Sequence, residues 1–121
     1  MAKRLTSSER AKVARAAAIA SHHFHVFRPV LFLPNRNEVE VAEARQIAMY
    51  LAHCAGRIPI NRLTIAFKRD NSTISHNIAK IEDMRDDPRN PVFEAMMTYL
   101  TMLFQLGPDR RPRSRRRGRR E

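Results

Sequence analysis

Glycine is scarce in this chain, three residues in 121, at positions 56, 107 and 118. That spacing cannot supply a phosphate-binding loop of the form Gly-x-x-x-x-Gly-Lys-Ser/Thr, so no nucleotide partner is expected. Cysteine is scarcer still. Cys54 alone closes no intrachain disulfide, which excludes a disulfide scaffold and favours a reducing compartment. Its helical spacing among apolar residues predicts a packed thiol. Long apolar runs are missing too: the richest, Met96 to Leu106, has eleven residues, against the roughly 20 that a membrane span needs. The run Ala16 to Ala20 is shorter than a secretory core of at least about seven. Neither a membrane partner nor a signal peptide is expected. The basic, serine-containing start has some transit-peptide character, but Glu9 and a capping pattern favour an ordinary helix. No stretch alternates like a strand for long, so the fold class is all-α.

Acid is what the two ends lack. Residues 1–15 carry five bases and one acid, and residues 108–121 carry eight arginines and two acids. Of the net +11, only +1 remains for residues 16–107, where ten bases face nine acids. A basic tail binds polyanions without a fold, whereas a specific partner must be read by the nearly neutral middle. The expected organisation is a basic extension over 1–6, one helical domain over 7–107 and a disordered arginine-rich tail over 108–121.

Within the middle, Thr6 and Glu9 form a capping box that opens a helix over about 7–24. Residues 26–37, broken by Pro29 and Pro34, read as a packed connecting loop. From Glu43 the apolar residues Ala44, Ile47, Ala48, Leu51, Cys54 and Ala55 keep helical spacing until Gly56 supplies a stop. A short helix follows over Pro59 to Phe67. Asp70 then caps a helix with Ile74, Ile78 and Ile81 on one face and Ser72, Thr73, His76, Asn77 and Lys80 on the other. Asn90 and Pro91 start a last helix closed by Gly107 and Pro108. Its residues Phe93, Met96, Met97, Tyr99, Leu100, Met102, Leu103, Phe104 and Leu106 cover more than one stripe. They suit either the central helix of a bundle or a dimer surface.

A short amphipathic helix, a basic turn at Lys68 and Arg69, and a helix with a small polar face make a helix-turn-helix pattern. Short outward side chains are what a helix needs to enter a major groove about 12 Å wide. The same spacing also fits a helical pair with a solvated face.

The residues themselves narrow that choice. Arg45-Gln46-Ile47-Ala48-Met49-Tyr50-Leu51, Ala66-Phe67, Arg69-Asp70-Asn71-Ser72-Thr73-Ile74, His76 and Lys80-Ile81-Glu82 fall in register over about 45 residues. This segment resembles the C-terminal DNA-binding domain of the bacterial chromosomal replication initiator DnaA. The resemblance implies double-stranded DNA as partner, with Asp70, Asn71 and Ser72 reading base edges in the major groove. It implies phosphate contacts from Arg45, Gln46, Thr73 and His76. Lys68, Arg69 and Lys80 join them on charge grounds.

Three departures from the family pattern predict a different DNA preference or weaker specificity. Where the family has a basic loop with a minor-groove arginine, residues 35–44 read NRNEVEVAEA, with Arg36 as the one basic substitute. Lys68 stands where the family has two glycines, which removes the permissive backbone. Asn71 replaces a family histidine.

Other constellations carry little. His22, His23 and His25 lack the spacing and the cysteine partners of a structural zinc site, and His53 with Cys54 lacks a third group, so neither metal, cofactor nor enzyme is expected. Arg110, Arg111, Arg113, Arg115, Arg116, Arg117, Arg119 and Arg120 would clamp phosphates of any sequence. The expectation is a stand-alone DNA-reading module of the bacterial cytoplasm and nucleoid, regulating transcription or replication initiation. The alternative is a protein adaptor whose tail binds RNA or an acidic partner.

Overall fold

A computed structural model describes residues 4–33 and 38–107. They form five α-helices: α1 (Ser7–Phe24), α2 (Val39–Tyr50), α3 (Ile60–Phe67), α4 (Asn71–Arg85) and α5 (Pro91–Leu106). Among the described residues there is no strand, and no helix is long and apolar enough to cross a membrane.

Both halves of the Thr6/Glu9 capping box are made, Glu9 N–H donating to Thr6 Oγ1 (3.1 Å) and Thr6 N–H to Glu9 Oε1 (2.9 Å). The Arg62 guanidinium of α3 also donates to Glu9 Oε1 (2.9 Å) and to the Arg4 carbonyl (2.6 Å). These bonds hold the Glu9 carboxyl down at about 2 and tie the start of α1 to α3.

Helix α1 packs on α2 through small residues. Ala16, Ala17 and Ala20 on one side and Ala44 and Ala48 on the other are fully buried, so the two backbones approach closely. The segment read as a loop from its prolines contains a 3-10 helix, Arg28–Phe32, that drops Leu31 into the core.

Helix α2 runs on into a π-helical turn, Leu51–Ala55, ending at Gly56. The stop differs from the expected one. Gly56 has an ordinary φ of −84°, and the left-handed residue is Arg57 at 61°. Glycine is required at 56 for space, because a Cβ there would lie 2.6 Å from the Ala52 carbonyl oxygen and 3.2 Å from the Phe104 ring. The widened turn also corrects the reading of Cys54. It is exposed rather than packed, since α-helical spacing no longer predicts which side a residue faces once a turn takes an extra residue.

At the far end of α4, Arg85 grips Glu94 of α5 with both arms (2.6 and 2.8 Å) and donates to the Tyr50 hydroxyl (3.1 Å). One side chain thus joins α2, α4 and α5.

Candidate nucleic-acid interface

Helices α3 and α4 are joined by Lys68, Arg69 and Asp70. Helix α3 ends because Lys68 turns left-handed (φ 58°, ψ 42°). Helix α4 starts because Asp70 caps it, its Oδ1 accepting from Thr73 N–H (2.8 Å) and the Ser72 hydroxyl (3.2 Å). The Thr73 bond, then the Ser72 bond, hold the Asp70 carboxyl below the usual range, so it is ionised at neutral pH.

The left-handed backbone at Lys68 is one that glycine adopts freely, and an L side chain there costs roughly 1–2 kcal/mol. Lys68→Gly is expected to raise stability by a net of about 0.5–1 kcal/mol, after subtracting the extra freedom glycine gives the unfolded chain. Urea unfolding followed by circular dichroism measures it. A loss of stability would show that the lysine stem packs favourably enough to outweigh the strain.

The inner face of α4 is Ile74, Ile78 and Ile81, all buried. Opposite them Asn71, Ser72, Thr73, His76 and Lys80 are exposed, as is Asp70 at the cap. Asn77 departs from the expected polar face. It is half-buried and its Nδ2 donates to the Met49 sulfur at 3.6 Å, because positions three after Ile74 and four before Ile81 turn toward α2. Two small exposed residues, Ser75 and Ala79, share the outward face and were not singled out from the sequence, although their place opposite the isoleucines was legible.

The remaining candidates divide into groups. Lys68 is exposed in the turn itself. Gln46 and Lys80 line one cleft between α2, α4 and α5, with Glu43 and Asn90. Arg45 is not on the surface: it is 6% exposed, and its Nε donates to the Leu31 carbonyl at 2.9 Å. Burial, then the neighbouring charge of Arg69, lowers its pKa. Arg69 bonds the Phe67 carbonyl (2.9 Å) and the Leu33 carbonyl (3.1 Å). The expectation of a phosphate contact from Arg45 is therefore corrected to a strut. With Arg69 it fixes the backbone of Leu31 to Leu33, just ahead of residues 34–37. Residue identities carry no sign of this, since any residue can offer a backbone carbonyl. Arg36 and the arginines from Arg110 to Arg120 lie outside the described residues.

His22, His23 and His25 sit at the end of α1, and among the described residues no group of three histidine, cysteine or acidic side chains is placed to hold a metal ion.

A short helix, a three-residue turn and a capped second helix with a small polar outer face and an apolar inner one define a helix-turn-helix protein. The chain belongs to the bacterial DnaA protein helix-turn-helix family, whose model matches residues 13–81. The match begins inside α1, which makes that helix part of the family domain, and ends at the last isoleucine of α4, leaving α5 outside it. Membership of this helix-turn-helix family points to DNA binding. No curated protein and no solved structure matches the chain.

Proposed function

We propose that this protein binds double-stranded DNA sequence-specifically, with the N-terminal turn of α4 in the major groove. Asp70, Asn71 and Ser72 read base edges there, Asn71 suited to an adenine edge and Asp70 to a cytosine amino group. Gln46, Lys68, Thr73, His76 and Lys80 meet phosphates and set register. Arg69 adds positive charge at the turn, Arg36 is the candidate for the minor groove, and the tail arginines add affinity without selectivity. The role that fits this chemistry is regulation of transcription or replication initiation in the bacterial cytoplasm. The observation that carries the reading is the exposed, capped first turn of α4, with short side chains outward and Ile74, Ile78 and Ile81 locked in the core behind it.

Selection of bound duplexes from random DNA tests it. One enriched motif is expected. Asn71→Ala, at an exposed position with no stabilising partner, should cost about 1–3 kcal/mol of affinity for that motif and relax the preference at one base pair. Asp70→Asn keeps a capping residue, so loss of selectivity there reports readout rather than unfolding. Absence of enrichment would sink the proposal and leave the adaptor reading.

A further inference from the structure

Helix α5 has two apolar faces, and the body of the protein covers only one. Met97, Leu100 and Phe104 are buried, whereas Val92, Tyr99, Met102 and Leu106 are 76%, 52%, 47% and 56% exposed. With exposed Ala95 they occupy positions 92, 95, 99, 102 and 106, an alternation of three and four that forms a straight seam on a helix. The seam continues into half-buried Met96 and Leu103. No charge interrupts it, since the only charged residue of α5 is Glu94, held by Arg85. An exposed apolar row of this kind on a protein surface is often functional. Beside the seam, a groove of about 480 Å³ between α1 and α5 is lined by Ile19, Tyr99, Leu100 and Leu103 together with His22, His23 and His25.

No other segment of this sequence can cover the seam. The residues outside the described set are Met-Ala-Lys at the start, Pro-Asn-Arg-Asn at 34–37 and the arginine-rich stretch after Gly107. None offers a row of apolar side chains. A second copy does, because a seam of this spacing mates with its own kind. Charge permits it as well: the excess lies in the ends, and residues 16–107 carry only +1. Charge also selects the orientation. The arginines begin four residues after Leu106, so a parallel pair would crowd both sets at one end, and an antiparallel pair holds them apart.

We propose that two copies of this chain associate through α5 in an antiparallel pair, with both Tyr99 side chains near the two-fold axis and Val92 of each copy toward Leu106 of the other. Such a contact is isologous and closes at two copies. It stands independently of DNA readout. Where the DNA-binding reading holds, two copies related by a two-fold axis read an inverted repeat.

Light scattering on the full chain without DNA, at about 100 μM so that a micromolar contact is saturated, should give twice the 14.1 kDa monomer mass. Tyr99→Glu and Met102→Glu should each restore the monomer mass with an unchanged circular dichroism spectrum, because both side chains point away from the core. Gln105→Glu, exposed beside the seam, should leave the dimer intact. In a Cys54→Ser background, Val92→Cys should crosslink to Leu106→Cys but not to itself. A monomeric wild-type chain, a dimer indifferent to both glutamates, or self-crosslinking of Val92→Cys overturns the proposal.

Discussion

Replacing Phe67 with alanine is expected to cost about 3–5 kcal/mol of folding stability, the largest effect of any single substitution in the site region. Phe67 is the last residue of α3, fully buried, and its ring stacks on Phe32 of the 3-10 helix with centroids 5.1 Å apart. It therefore locks together the three pieces that meet at the turn: α3, the segment before residues 34–37, and through its carbonyl the Arg69 guanidinium. A domain of this size has roughly 5–15 kcal/mol in all, so the variant should retain a marginal fold at best near 37 °C. Urea unfolding of the two proteins, compared at the same slope, gives the number. Phe67→Leu, nearer in volume, should lose less than about 1.5 kcal/mol. A loss under about 1 kcal/mol for the alanine variant would mean that the core around Phe32 closes over the gap and that the turn does not depend on this ring.

Deleting residues 109–121 is expected to produce the largest change in binding. That segment holds eight arginines and two acids. Each phosphate neutralised contributes about 0.9 to the slope of log affinity against log salt, so a tail engaging most of its arginines accounts for several units of slope. Titrating a fixed duplex at several salt concentrations should show that slope flattening on truncation, with affinity at low salt falling by orders of magnitude. The selected motif should stay the same, because phosphate contacts position a protein and carry no sequence information. An unchanged slope would remove the clamp from the account and leave the segment with a solubilising role.

What holds the helix-turn-helix in shape and what would hold it to DNA are not equally legible in the sequence. Local chemistry was legible where a residue acts on its immediate neighbours. Thr6 with Glu9, Asp70 with Thr73, and Asn90 with Pro91 each mark a helix start that the structure contains. Ile74, Ile78 and Ile81 marked the inner face of α4, and so its outer one. Errors appeared where the answer depended on a distant chain segment. Gly56 is legible as a stop, but that a side chain has no room there depends on the Ala52 carbonyl and on the ring of Phe104, far along the chain. The family resemblance gives Arg45 a phosphate, yet the Leu31 carbonyl holds its Nε in the interior. Spacing alone puts Asn77 on the outer face, yet Met49 of α2 draws it in.

The amino-acid sequence by itself determined the all-helical class, the position of the helix-turn-helix, the identity of the side chains on the outward turn of α4, and the confinement of excess charge to the ends. These follow from spacing and composition, which need no partner to be read. Only the tertiary structure decided which polar groups are occupied and which apolar ones are not. It converted Arg45 from a surface contact to a buried strut and made Arg69 its companion. It divided the crowded apolar sequence of α5 into a covered face and an uncovered seam. Helical periodicity shows that a side chain can be buried, but burial itself is settled only by what the rest of the chain brings against it.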